Sequence, residues 1–224
     1  MGINIRLLAH SSVEIKVANK IIYFDPSTKG TGLKKGDFKP ADLILVTHDH
    51  PDHFDKDLLK KIRKGGSPII APGNVKKEFG GVGVWDVDPG QFMKTGDGIE
   101  IKGVEAYNVK RFRSPGTPFH PKGLGAGYIV QVAGKKFYHA GDTDLIPEME
   151  SLGEAGIDVA FIPAGDTFTM DLHEAAEATL IIKPRIAIPI HLKGADPAIF
   201  KEEVESRSST KVVVLNPGDV YALE

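Results

Sequence analysis

The sequence predicts an α/β fold in which two packed sheets carry helices on their outer faces. Two observations point there. Strand-like runs dominate the opening, and strands then alternate with helix-like segments through the rest of the 224 residues. The length suffices for one well-buried domain, and neither a linker nor a short-period repeat interrupts it. One domain over residues 1–224 is the expectation.

Each element has a local reason. Residues 3–8, 13–17 and 21–24 are short β-rich runs, with Ala18-Asn19-Lys20 as a hairpin turn between the second and third. Residues 27–40, rich in glycine and lysine, read as a long surface loop. The apolar run 43–46 is a buried strand and 55–64 a helix; a strand at 68–71 and a short helix at 74–79 follow. Gly80-Gly81-Val82-Gly83 is turn-rich, and 82–87 and 99–106 continue the β pattern. Residues 109–125, with three prolines and four basic side chains, form an irregular loop. Its closing glycines, Gly123 to Gly127, let backbone pass close to the site. Strands 128–132 and 136–139 meet at an Ala133-Gly134 turn. Then come a helix at 145–152, a strand at 159–162, a helix at 173–182 and a strand at 186–190. A helix at 197–205 and strands at 212–215 and 220–223 close the chain.

Apolar residues make up 41% and charged residues 26%, ordinary for a globular protein. The net charge of −2 gives no basic field that argues for nucleic acid or an acidic membrane as partner. With no secretory-type apolar core at the start and no segment long enough to span a bilayer, the reading is cytoplasmic. The absence of cysteine excludes disulfides, thiolate ligands and cysteine nucleophiles.

Thr47-His48-Asp49-His50-Pro51-Asp52-His53 concentrates three of the eight histidines and two carboxylates where a buried strand ends. In extended backbone His48 and His50 leave the same side. Pro51 holds His50 toward extended geometry and suits a first helical position, so that Asp52 and His53 project from the opening turn. Neutral imidazoles with a carboxylate suit zinc, iron or manganese.

His48-x-His50-x-Asp52-His53 after an apolar strand resembles the signature of the metallo-β-lactamase superfamily. Asp25-Pro26, Gly141-Asp142-Thr143 and Pro189-Ile190-His191 resemble its further segments in order, over nearly the whole chain. His10-Ser11-Ser12-Val13, the run from Tyr138 to Thr143 and the run from Gly165 to Met170 are similar to a compact branch in particular. That branch holds ascorbate-6-phosphate lactonase-like proteins, with N-acylphosphatidylethanolamine phospholipase D as a more distant relative. The resemblance implies a four-layer αββα sandwich, whereas periodicity alone leaves an ordinary layered α/β domain open. It speaks for fold and metal site far more than for substrate.

What the resemblance implies for single residues is as follows. His48 and His50 would hold a first metal, Asp52 and His53 a second, with Asp142 bridging and His191 completing the second site. Where the family's third histidine for the first metal would stand, this chain has Asn108. Either His120, later in the same loop, supplies that ligand, or Asn108 lies near the metal and His120 contacts substrate. Asp25 would order the ligand loop without touching metal. His139 would pack inward or support a ligand; His10 would do so too, contact substrate, or be purely structural. His173, beside Asp171, belongs to a helix start. Lys110, Arg111, Arg113, Lys122 and Lys193 flank two ligand loops, where they would hold an anionic substrate or simply be solvated.

Two divalent ions, zinc foremost with manganese or iron as alternatives, would lower the pKa of a bound water to about 7 and polarise the electrophile. Asp52 would orient the nucleophile and pass on its proton. The expected function is hydrolysis of a small anionic ester, phosphodiester or lactone, by a chain able to form homo-oligomers. The competing expectation is a metal-binding or regulatory module with little catalysis, argued by the histidine missing at Asn108.

Overall fold

The computed structural model describes residues 2–80 and 83–223. Along the chain run β1 (Ile3–Ala9), β2 (Ser12–Val17), β3 (Lys20–Phe24), β4 (Leu43–Leu45), α1 (Lys56–Ile62), β5 (Ile69–Ala71), α2 (Gly73–Phe79) and β6 (Val84–Asp86). Then come β7 (Phe92–Lys94), β8 (Glu100–Val104), β9 (Phe112–Ser114), β10 (Thr117–Pro118), β11 (Gly127–Val132), β12 (Lys135–His139) and β13 (Val159–Pro163). The remainder is α3 (Leu172–Ile182), β14 (Ile186–Ile190), α4 (Pro197–Arg207), β15 (Lys211–Val212) and β16 (Val220–Leu223). By its contacts the chain forms two compact units, Met1–Val87 with Leu215–Glu224, and Asp88–Val214.

The first unit holds a seven-stranded sheet ordered β16-β1-β2-β3-β4-β5-β6. Pairing is antiparallel from β16 through β3 and parallel from β3 through β6. The two-residue turn Ala18-Asn19 joins β2 to β3, with Ala18 at φ +50°. Ile44, Val46, Ile69 and Ala71 form one buried cluster with Leu58, Leu59 and Ile62 of α1 and Val75 and Phe79 of α2. Full burial of a leucine such as Leu58 stabilises by about 1.5–3 kcal/mol. Asp55 caps α1, its side chain accepting from the Leu58 N–H at 3.1 Å. The helix therefore starts at Lys56, and Pro51 to His53 form a separate turn in which the His53 and Phe54 N–H groups donate to the His50 carbonyl.

The second unit holds a seven-stranded sheet ordered β15-β14-β13-β12-β11-β8-β7, parallel from β15 to β12 and antiparallel from there. Ala133 and Gly134, at φ +51° and +74°, make the tight turn between β11 and β12. Tyr138, Ala160, Ile162 and Ala187 share a buried cluster with Ala175, Ala176, Ala178 and Ile182 of α3 and Phe200 and Val204 of α4. The small alanines let α3 approach the sheet closely. Asp171 and Glu174 close a capping box at its start.

The structure departs from the sequence expectations at several elements. Residues 147–152 form a 3₁₀ helix headed by Pro147 rather than an α-helix over 145–152. The strand expected at 212–215 is ladder-paired only at Lys211–Val212. β7 and the β9–β10 hairpin were not expected; both are short and largely exposed, so no alternating apolar pattern marks them. The strand expected over 82–87 is seen at Val84–Asp86; its first residue and the middle of the Gly80–Gly83 turn lie outside the described residues. Among the described residues no helix is long and apolar enough to cross a membrane.

In both sheets the donor-bearing loops leave the C-terminal ends of strands. Asp25 follows β3 and His48 follows β4 in the first unit. Asn108, Asp142 and His191 follow β8, β12 and β14 in the second. Side chains spaced along the sequence are thus delivered to the strand-end loops of their own sheet.

Candidate functional site

In the first unit the fixed point is Asp25, buried and in left-handed backbone at φ +45°. The Thr47 N–H donates to its Oδ1 at 2.7 Å, and the Thr47 hydroxyl donates to its Oδ2 at 2.7 Å. His53 Nδ1 donates to the same Oδ2 at 2.8 Å. With the Thr47 proton given to Asp25, the 2.9 Å contact between Thr47 Oγ1 and His48 Nδ1 is donated by the ring. Assigned from this network, His48 and His53 carry their protons on Nδ1 and turn the Nε2 lone pair away from Asp25 and Thr47. That is the tautomer a metal ligand needs. Their ring centroids lie 4.1 Å apart, and those of His48 and His50 lie 4.7 Å apart. His10, at φ +51°, places Nε2 3.1 Å from Asp52 Oδ2. Donor atoms of His10, Asp52 and His53 lie within 4.8 Å of one another.

The second unit is organised around Asp142. The Gly141 N–H donates to His139 Nδ1 at 3.2 Å, which holds the turn that presents Asp142. Asp142 Oδ2 lies 3.3 Å from His120 Nε2 and 3.1 Å from His191 Nε2. One carboxylate oxygen thus faces two imidazoles. Asn108 Oδ1 accepts from the His120 N–H at 2.8 Å and from His120 Nδ1 at 2.7 Å, while its Nδ2 donates to the Phe168 carbonyl at 3.0 Å. Asn108 therefore sets the tautomer and angle of His120. His191 sits at φ +54°, and the loop after β13 passes it so closely that a Cβ on Gly165 would lie 2.0 Å from the His191 carbonyl oxygen. Gly127 is similarly tight, a Cβ there meeting the Ala140 carbonyl oxygen at 2.9 Å.

The donors fit a divalent cation by their own chemistry. His120 Nε2, a lone pair once Nδ1 bears the proton, faces a carboxylate oxygen, and two acceptors repel unless a cation or an added proton lies between them. Donor atoms sharing one tetrahedral zinc at 2.0–2.1 Å stand roughly 3.3 Å apart, the scale of the contacts around Asp142. Imidazoles and carboxylates without thiolate suit zinc, manganese or iron.

The basic side chains divide into two classes. Arg111 Nη1 meets Asp144 at 3.2 Å, Nη2 meets Asp166 at 3.1 Å, and the guanidinium also pairs with Glu174. Lys110 pairs with Glu174 at 2.5 Å and Lys122 with Glu148 at 2.6 Å. Burial works against the Glu174 charge, but Lys110 and Arg111 outweigh it and hold the carboxyl below its ordinary range. Arg113 and Lys193 instead lie over aromatic rings. His173 lies on α3 and pairs with Glu203 of α4 at 2.7 Å.

Sequence reasoning missed Thr47, Gly165, the orienting role of Asn108 and the His10–Asp52 contact. A threonine next to a ligand histidine carries no metal signal of its own. Gly165 opens the Gly-Asp-Thr segment already singled out, and only the backbone approach reveals its role.

Comparison with known proteins agrees with this architecture. The beta-lactamase superfamily domain matches residues 4–191. A metal-dependent hydrolase of Pyrococcus abyssi is 36% identical, covering 99% of this chain and 100% of its own length. A solved metallo hydrolase from the hyperthermophilic archaeon Ignicoccus hospitalis is 29% identical, with a TM-score of 0.83 over 100% of this chain and 99% of that one. A metallo-beta-lactamase fold protein of Bacillus subtilis, 13% identical, shares the fold with a TM-score of 0.73 over 99% of this chain and 100% of that one.

Proposed function

The chain belongs to the β-lactamase superfamily and is a metal-dependent hydrolase with the metallo-β-lactamase fold, and from that premise we propose that it hydrolyses a small anionic ester, phosphodiester or lactone, at a centre of two divalent ions. One observation carries the reading. The single Asp142 oxygen faced by both His120 and His191 gathers three ligand-type atoms at the spacing that binding of a divalent cation would call for. His48, His50, Asp52 and His53 of the first unit, and His120, Asp142 and His191 of the second, are the residues that would supply the metal ligands. Zinc suits this donor set first, then manganese or iron.

Bound there, the ions supply a nucleophilic water at neutral pH and stabilise charge on the electrophilic oxygen. The protein's part is positional. Asp25 and Thr47 fix the His53 and His48 rings, Asn108 fixes His120, and His139 holds the Asp142 turn. Asp52 orients the attacking water, takes its proton on the carboxylate and hands it to the leaving oxygen. His10, against Asp52 Oδ2, holds that carboxylate in place. A small-molecule partner goes with this reading, since a net charge of −2 gives no basic field for nucleic acid or an acidic membrane, and a cytoplasmic setting is proposed with it.

The test combines metal content with a panel of chromogenic phosphodiesters, lactones and simple esters. Two ions per chain are expected, with turnover lost on chelation and restored by zinc or manganese. One ion per chain after saturation would remove the dimetal centre, and turnover indifferent to chelation would remove the metal mechanism.

A further inference from the structure

Two aromatic rings and two cations of the second unit are used by none of the chemistry above. Phe119 and Phe168 meet edge to face, their centroids 4.8 Å apart at 87°. The Arg113 guanidinium lies 5.7 Å from the Phe119 centroid, and Lys193 Nζ lies 4.8 Å from the Phe168 centroid. The four side chains form one continuous contact series: cation, ring, ring, cation. Both rings are half-buried, and both cations are exposed.

This series differs from the surrounding basic loop in a way that decides its use. Lys110, Arg111 and Lys122 are neutralised by Glu174, Asp144, Asp166 and Glu148. Arg113 and Lys193 have no carboxylate partner among the described residues. A ring face orders a cation without discharging it, so each stays able to take an anion. Lys193 is held at φ +47°, a backbone conformation that disfavours lysine and persists where the surroundings dictate it. The series is also tied to the donor set around Asp142. Phe119 precedes His120, the Phe168 carbonyl anchors Asn108, and Lys193 follows His191 by two residues.

We propose that Arg113, Phe119, Phe168 and Lys193 form a recognition subsite for a flat, apolar part of the substrate that carries its own negative charge apart from the scissile bond. The substrate class narrows to esters bearing an anionic arene, such as an aromatic carboxylate. The rings would take the flat face and the two cations the charge. This rests on the reading that His120, Asp142 and His191 belong to the hydrolytic centre.

The test measures binding and turnover separately. Binding of 1-naphthoate, neutral 1-naphthalenemethanol and acetate is titrated with the metal-loaded protein, wild type against R113Q/K193Q and F119L/F168L. The cation variant should weaken naphthoate about tenfold, about 1.4 kcal/mol, and leave naphthalenemethanol unchanged. The ring variant should weaken both aromatic probes. Because Arg113 and Lys193 are exposed, the first variant keeps its fold and decides the matter even if the second does not. Naphthoate binding no tighter than acetate in the wild type, or unchanged in R113Q/K193Q, would overturn the subsite. Matched esters separate this inference from the one beneath it. Metal-dependent turnover with no preference for anionic aryl esters would sink the subsite and leave the hydrolase reading standing. The expected naphthoate profile with no ester turned over would uphold the subsite and sink the ester reading.

Discussion

His53 Nδ1 donates to the Asp25 carboxylate at 2.8 Å, and neither side chain is exposed to solvent. The same carboxylate takes the N–H and hydroxyl of Thr47, which in turn receives His48 Nδ1. One buried aspartate, held in left-handed backbone at the end of β3, therefore sets the tautomers of two imidazoles that follow β4.

Asp25→Asn tests that arrangement cleanly, because asparagine tolerates the left-handed backbone at this position. The amide keeps one acceptor and turns a donor toward Thr47 or His53, which are themselves donors. Zinc affinity, read by competition with a chromogenic chelator, should fall about 10- to 100-fold with the fold retained. Unchanged affinity would mean that Asp25 merely braces the loop.

His120 and Asn108 should separate in their effects. His120→Ala removes a donor atom that faces Asp142 and should lower metal occupancy at saturating zinc. Asn108→Ala leaves that atom in place but frees its ring, so occupancy should hold while turnover drops. The reverse pattern, occupancy lost with Asn108→Ala alone, would make Asn108 the ligand and His120 a bystander.

Much of this was legible in the sequence, for reasons that differ by residue. The Thr47–His53 run stands out because its donors fall within seven positions. α3 was legible from Asp171 at its start and α4 from Pro197, which takes its first helical position; the Asp196 cap of α4 is seen only in the structure. The β9–β10 hairpin was hidden by its exposure, although Pro115-Gly116 marks its turn. The His10–Asp52 contact was hidden because it depends on which strand ends adjoin within the first sheet, not on spacing. Asn108 was the strongest argument for a module without catalysis. Read locally it is a lost histidine, whereas in three dimensions it is the hydrogen-bond partner of one. The hydrolase relatives remove the argument from the other side.

The Arg111 cluster should make the chain acid-sensitive in a way one variant can report. Burial raises the Glu174 carboxyl, but Lys110 and Arg111 outweigh it, so the folded chain binds this proton less tightly than the unfolded chain. Such a group contributes stability that is whole above the unfolded glutamate value of about 4.3 and is lost as pH falls through the lower folded value. Arg111→Gln should cost about 3 kcal/mol at pH 7, since Asp144 is fully buried against the guanidinium. The cost falls at the low end for a broken buried pair because the Val109, Lys110 and Arg111 N–H groups still donate to Asp144. Urea unfolding of both proteins across pH should show that gap shrinking below about pH 4. A gap constant from pH 7 to pH 3 would detach the cluster from acid stability.

Asp52 and Asp142 are both carboxylates of the proposed centre, yet they should fail differently. Asp52 is 28% exposed and contacts His10, so its removal leaves the buried donors His48 and His53 with their Asp25 and Thr47 partners. Asp52→Ala should stay folded and lose at least about a hundredfold in kcat, the scale of a missing general acid/base group. Asp142 is buried with two imidazoles aimed at one oxygen, so Asp142→Ala removes the group they share. It should lose bound metal as well as turnover, and lose the rise in Tm that metal gives the wild type. The two variants are told apart by metal content before any rate is measured. Full activity in Asp52→Ala would end its role as proton carrier. Undiminished metal content in Asp142→Ala would show that no ion depends on the oxygen between His120 and His191.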